Sequence, residues 1–206
     1  MAKKAKQTNS QRSMNSEIKS ICDIMRRSNC AGAMQYVPEL TWILFLRILD
    51  ERESIEAEEA EALGQQFEYS LEYPYRWRDW ANKEGEKRKE LVQGALGDYF
   101  TFINDDLIPY LKNLANIPDS NARQKVIAQI ISGVEKTRVD TEKNFLDILD
   151  RVDDIKQSNI SDTHIFTLSQ IYEGLLLKLC QKAIYGGHFF RPRGVMRAMF
   201  AFQSPT

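Results

Sequence analysis

The sequence has few of the residues that build disulfide frameworks or metal centres. It contains 3 cysteines and 2 histidines in 206 residues. The cysteines are odd in number, and none stands at metal-ligand spacing from a histidine. We therefore expect reduced thiols and no metal site. A Gly-x-Ser-x-Gly turn and a glycine-rich phosphate loop are also absent, so no motif indicates an independent enzyme.

A large excess of charge of either sign is missing too. The formal net charge is −1, which argues against a chain that coats nucleic acid or anionic lipid by bulk charge, so any DNA contact needs a local basic patch. Lys3, Lys4 and Lys6 lead into polar residues and not into an apolar segment. This pattern predicts no signal peptide, and we expect a cytoplasmic protein with no membrane partner.

The strongest pattern that is present is an apolar run at residues 38–50. Pro38 fits the first turn of a helix, and the residues after Glu39 leave almost no polar face. Such a helix is buried on several sides. We predict an all-α fold, a compact bundle of about seven helices around this buried central helix (38–50). At most a minor strand is expected near 67–75, where aromatic and polar residues alternate but Pro74 interrupts.

Helical periodicity and capping residues place the other helices. We predict helices from about Asn15 to Arg27, over 98–111 with a break at Pro109, and after the cap signal at 118–121. Two amphipathic helices are expected at 140–155 and 165–179. The glutamate-rich stretch 51–62 should be a solvated extension of the central helix that ends at Gly64.

Three segments resemble the N-terminal helical domain of the modification (methyltransferase, M) subunit of type I restriction–modification systems. The first is the pair of helices at 21–26 and 44–50, which closes in Phe-Leu-Arg-Ile-Leu-Asp. The second is Ile-Tyr-Glu-Gly-Leu-Leu at 171–176, and the third is Gly-His-Phe-Phe-Arg-Pro-Arg at 187–193. Residues 1–12 are polar and basic, which predicts a disordered tail. On the resemblance we expect the helical domain at 13–182, and a linker with the truncated start of the methyltransferase domain at 183–206.

The resemblance implies a parent enzyme that methylates the exocyclic amino group of adenine in DNA, with S-adenosylmethionine as methyl donor. Phe189, Phe190 and Pro192 would be the remnant of a segment that lies against that cofactor, although Phe190 and Arg191 depart from the family pattern of Tyr and Thr. The acidic glycine-rich loop and the Asn-Pro-Pro-Phe motif of the family do not occur in this sequence. We therefore expect no catalytic residue and no cofactor bound by this chain.

The resemblance also implies partners, namely double-stranded DNA, a specificity (S) subunit, a second M subunit and the restriction (R) subunit. Candidate DNA-backbone contacts form two basic sets. They are Arg76, Arg78, Lys83, Lys87 and Arg88, and Arg191, Arg193 and Arg197.

Alternatives to both DNA sets and to the function remain open at this point. In the first set, the neighbouring aromatics would pack under the loop while the cations pair with Glu84, Glu86 and Glu90. The second set would face a partner subunit instead of DNA. The rival function is a helical dimerisation or regulatory module with no role on DNA.

Overall fold

The protein is described from a computed structural model, which covers residues 19–28 and 33–154, with side chains from residue 38 in the second range. Within these ranges the structure is helical and contains no strand. The helices are α1 (residues 19–27), α2 (Ala33–Ala62), α3 (Trp77–Trp80), α4 (Glu86–Gln93), α5 (Asp98–Thr101), α6 (Ile108–Asn113), α7 (Ala122–Ile131) and α8 (Glu142–Asp154). The predicted all-α fold is confirmed.

The central helix is the buried part of α2. Its eight large apolar side chains are each at most 7% exposed, which confirms the prediction of a core helix. Trp42 stacks near Trp80 of α3 and Phe145 of α8, with ring centroids 6.4 Å and 6.2 Å away. Fully burying each such side chain contributes on the order of 1.5–3 kcal/mol, so this packing is the main source of stability.

α2 differs from the prediction at its start. It begins at Ala33, so Pro38 lies inside the helix and not in its first turn. It ends where predicted, because Gly64 adopts a left-handed φ of 70° and Gln65 N–H donates to the Ala60 carbonyl at 2.8 Å. The glutamate-rich half is not simply solvated, since Glu53 is only 2% exposed.

One continuous helical segment runs from α5 to residue 116. It contains a π-helical stretch (Phe102–Leu107) and ends in a 3₁₀ turn (Leu114–Asn116). Pro109 lies in the first turn of α6, directly after the π-helical stretch. The predicted break at Pro109 is therefore absorbed by widened helical hydrogen bonding, because proline cannot donate to the preceding turn.

The last two described helices follow the sequence signals closely. Asn121 caps α7, accepting from Gln124 N–H at 2.8 Å while the Gln124 side chain accepts from Asn121 N–H at 3.0 Å. α8 buries one face completely, through Phe145, Ile148 and Leu149 with 0% exposure. The predicted helix at 165–179 and the segments at 1–12 and 183–206 lie outside the described residues.

The optional strand near 67–75 is a loop. Its aromatics do not alternate between two faces of a sheet. Phe67 instead packs edge-on against Tyr69, with ring centroids 5.1 Å apart. A cis bond joins Tyr73 to Pro74. Proline lacks the N–H that a strand ladder needs, and the chain turns into α3 three residues later.

Candidate nucleic-acid interface

The first basic set lies in the connection between α2 and α5, and its aromatic residues face inward. Trp77 and Trp80 are 1% and 0% exposed. The Trp80 indole donates to the Tyr75 carbonyl at 3.2 Å, and the Tyr75 ring stacks on Tyr110 with centroids 3.8 Å apart. These rings fix the loop to the helices and are not available to stack on bases, whereas Tyr73 is 52% exposed.

Arg76 and Arg78 each bind a carboxylate of this chain. Arg76 Nε lies 2.9 Å from Asp79 Oδ2, and Arg78 Nε lies 2.9 Å from Asp50 Oδ1. Arg78 also donates to the Asp50 carbonyl at 3.3 Å, and both guanidinium groups lie over the Tyr69 ring at 5.4 Å and 5.2 Å. Burial raises the pKa of the Asp50 carboxyl, and the charge of Arg78 offsets part of this rise.

Lys83, Lys87 and Arg88 are also held internally. Arg88 is 8% exposed, pairs with Asp150 at 2.6 Å and donates to the Ala81 carbonyl at 2.5 Å. Lys87 pairs with Glu90 at 2.8 Å. Lys83 is held most loosely, 3.7 Å from a carboxylate oxygen of both Asp150 and Asp154.

In the structure, the cations of the first basic set pair with carboxylates of the same chain, as the alternative to DNA contact expected. Only some of these carboxylates are the expected ones. Glu90 pairs with Lys87, and Glu84 pairs with Lys89 at 2.9 Å. The other cations find acids on α2, α3 and α8. Contact of this set with DNA stays a prediction, because binding a phosphate would compete with these pairs.

α8 supplies the central anchor of the loop, a role that the sequence did not reveal. Asp153 accepts a hydrogen bond from Asn82 Nδ2 at 2.8 Å and one from Trp77 Nε1 at 3.3 Å. Arg47 of α2 lies 3.2 Å from the same carboxylate and 2.8 Å from Glu51. Asp153 joins α2, α3 and α8, whereas its neighbour Asp154 is 44% exposed at its side chain.

Two more buried acids hold loops against α2. Glu53 accepts from Ser70 N–H at 3.1 Å and from Arg123 of α7 at 3.2 Å. Glu39 accepts from the Thr137 hydroxyl at 2.5 Å. Burial raises the pKa of Glu39, and the hydrogen bond from Thr137 offsets this only in part. A single acidic residue within a helical pattern gives no signal of such a contact.

The described ranges offer no other chemical centre. Among residues 19–28 and 33–154, no group of three histidine, cysteine, aspartate or glutamate side chains is placed to hold a metal ion. Within the same part of the chain, no helix has the length and apolarity to cross a membrane. The predicted cofactor remnant at Phe189, Phe190 and Pro192 lies outside the described residues, as do Arg191, Arg193 and Arg197.

The packing and ion pairs define an all-helical domain in which a buried central helix holds a basic loop and α8 together. The chain belongs to the family of HsdM N-terminal domains, whose model matches residues 14–134. The resemblance inferred from the sequence is thereby confirmed.

Known relatives agree with this membership. The chain is 35% identical over 192 residues, 91% of its length, to the type I restriction enzyme EcoEI methylase subunit of Escherichia coli, and it spans 35% of that protein. A crystal structure of a modification subunit assigned to a type I restriction enzyme from Vibrio vulnificus YJ016 superposes with a TM-score of 0.70 at 30% identity. That match covers 94% of this chain and 40% of the other.

A second solved structure concerns complex assembly and conformational transition of the type I R-M system. It matches with a TM-score of 0.63 at 34% identity, over 88% of this chain and 33% of that one. The chain therefore spans between a third and two fifths of the relatives it matches.

Proposed function

We propose that this chain is the part of a type I DNA methyltransferase subunit that helps to clamp DNA and to join subunits, and that it does not itself catalyse. The observation that carries the proposal is the agreement of fold and family, with a TM-score of 0.70 at 30% identity to a modification subunit. The closely packed helical core around α2 supports a positioning role.

In this proposal the parent enzyme transfers a methyl group from S-adenosylmethionine to the exocyclic amino group of adenine. The target base leaves the duplex for this step, because the reacting atom is not accessible within the stack. Sequence choice belongs to the S subunit, so this domain contacts the DNA backbone more than the bases. The other partners would be a second M subunit and the R subunit, in the cytoplasm.

Cross-linking to DNA tests the clamp role without presuming which residues take part. A duplex carrying photoreactive thymine analogues on both sides of the recognition site is bound to the full M–S complex and irradiated. Peptides from residues 1–206 are expected among the cross-linked products. Cross-links that fall only in the rest of the M subunit and in the S subunit would contradict the proposed clamp role of this chain.

A titration of this 206-residue chain with S-adenosylmethionine tests the expectation that it is not catalytic. Calorimetry should show no binding to the chain, whereas the full-length M subunit should bind. Heat of binding to the fragment at micromolar ligand would contradict the assignment of the cofactor site to the remainder of the parent.

The rival function, a helical dimerisation module, is favoured by one specific feature. Leu96 is 98% exposed on the turn between α4 and α5, and Val92 on α4 is 55% exposed. An exposed apolar surface marks a protein interaction site when its residues are contiguous. Sedimentation of the wild-type chain and of Leu96→Asp would separate the two functions. A dimer that dissociates in the variant would support the rival.

A further inference from the structure

The cations of the first basic set differ in how firmly the rest of the chain holds them. Arg88, whose side chain is 9% exposed, pairs with Asp150 at 2.6 Å and donates to the Ala81 carbonyl. Arg78 faces Asp50, whose side chain is only 11% exposed. Withdrawing Arg78 would leave a nearly buried carboxylate, and withdrawing Arg88 would leave a buried carbonyl without its donor. These two arginines are therefore needed for the fold.

Arg76 and Lys87 are also held in direct contact with a partner. Arg76 Nε lies 2.9 Å from Asp79 Oδ2, and the Asp79 side chain is 9% exposed. The Lys87 side chain is 19% exposed and lies 2.8 Å from Glu90. Its ammonium group also lies 5.5 Å from the centre of the Phe102 ring, a cation–π contact. Either residue would have to give up a hydrogen-bonded partner to bind a phosphate.

Lys83 is held more loosely than the other four. Its side chain is 50% exposed, and its ammonium group lies 3.7 Å from Asp150 Oδ2 and 3.7 Å from Asp154 Oδ1. Both distances exceed the range of a charge-assisted hydrogen bond. The two carboxylates are 28% and 44% exposed, so water can solvate them when the lysine leaves. Exposed pairs of this kind contribute little to stability, and Asp150 would keep Arg88.

The backbone next to Lys83 is fixed, although its side chain is not. Asn82 donates to Asp153 at 2.8 Å and accepts from Glu84 N–H at 2.8 Å. Gly85 N–H donates to the Asn82 carbonyl at 2.9 Å. The turn is therefore held on both sides of Lys83. Because a lysine carries its charge on a flexible four-carbon stem, the ammonium group can leave α8 by rotation of its own side chain.

We propose that Lys83 is the residue of the first basic set that contacts a DNA phosphate, and that Asp150 and Asp154 compete with the phosphate for it. The pairing of Lys83 with α8 is then an autoinhibitory contact. Asp150 and Asp154 are four positions apart on α8, where like charges repel each other, and Lys83 between them reduces this repulsion. DNA must overcome this contact to bind the lysine. The inference rests on the proposed clamp function and identifies its cation and the internal competitor.

Salt dependence of DNA binding by the full M–S complex tests the contact. Each neutralised phosphate contributes a slope of about −0.9 in log K against log salt concentration. Lys83→Gln should therefore make the slope less steep by about 0.9 for each M subunit on the duplex, and Lys83→Arg should keep the wild-type slope. Lys89→Gln is the matched control, because Lys89 is 51% exposed at its side chain but lies 2.9 Å from Glu84. This control should leave the slope unchanged.

A slope that Lys83→Gln does not change would overturn the assignment of the phosphate contact. An equal change of slope in Lys89→Gln would overturn it too, since the effect would then belong to any exposed lysine of this surface. Either result leaves the clamp function standing, because the cross-linking experiment tests that function independently.

A double-mutant cycle tests the competition. Asp154→Asn removes one competing carboxylate and should tighten DNA binding by up to about fivefold, the size expected for an exposed pair. The gain should be smaller in the Lys83→Gln background, where no lysine is released. Asp147→Asn removes an exposed acid of the same helix that does not contact Lys83, and it should have less effect than Asp154→Asn. Equal gains in the two backgrounds, or equal gains from Asp147→Asn and Asp154→Asn, would overturn the competition.

Discussion

Replacing Asp153 by asparagine removes the charge that Arg47 faces at 3.2 Å while keeping the size of the side chain. The Arg47 side chain is 3% exposed, and the Asp153 side chain is 18% exposed. Removing one partner of a buried pair costs about 3–5 kcal/mol. Arg47 keeps Glu51, and asparagine keeps one oxygen that accepts from Asn82. We therefore expect the free energy of unfolding to fall by about 2–3 kcal/mol, at or just below the lower end of that range.

Urea unfolding followed by tryptophan fluorescence measures this loss, because Trp77 donates to Asp153 and reports on the site. The melting temperature should fall by roughly 5–10 °C for a domain of this size. Asp154→Asn is the matched control. Its side chain is 44% exposed and lies 3.7 Å from Lys83, so it should cost less than about 0.5 kcal/mol. Equal losses in the two variants would refute the role of Asp153 as the anchor of the loop.

Three further changes test other contacts. Glu39→Gln should gain stability relative to wild type as pH rises above about 4.5, because burial raises the folded-state pKa of Glu39 and the folded wild-type protein binds the proton more tightly than the unfolded chain. Urea unfolding of both proteins from pH 4 to 8 measures the difference in their free energies of unfolding. A difference that does not change with pH contradicts the prediction. Gly85→Ala should lower the melting temperature, since its Cβ would lie 2.6 Å from the Arg78 carbonyl, whereas an added Cβ at Gly133 meets nothing within 4 Å. Tyr99→Phe should cost about 1 kcal/mol in the urea unfolding free energy through loss of the hydrogen bond to the Trp80 carbonyl at 2.5 Å.

Periodicity and capping residues predicted most of the described fold. The apolar run at 38–50 and the face of α8 are buried as expected, and Gly64 ends α2. These features depend on local sequence, because a helix face repeats every three to four residues and a cap needs one residue of suitable conformation. The start of α2 at Ala33 was not predicted, because proline is typical of the first turn of a helix and Pro38 was therefore placed there.

The contacts of charged residues could not be predicted in the same way. Trp77 and Asn82 meet Asp153 across 76 and 71 positions of sequence, and Glu53 meets Arg123 across 70. Periodicity predicts which face of a helix is buried, but it does not predict which side chain from another helix lies opposite. Glu53 is one glutamate among many in α2. It is buried only because Ser70 and Arg123 pack over it.

The same long-range pairs decide how a basic stretch should be interpreted. Local sequence at 76–88 shows a dense group of cations, which is compatible both with a nucleic-acid interface and with internal ion pairs. In the folded chain their charge is balanced by Asp50 on α2 and Asp150 on α8, so the pairs stabilise the fold and reduce attraction to phosphate together. The cations of residues 1–12 have no acid within that stretch. The positive charge that a basic stretch can offer to phosphate therefore depends on which carboxylates the tertiary fold brings within about 4 Å of its cations. The local density of arginine and lysine does not decide it.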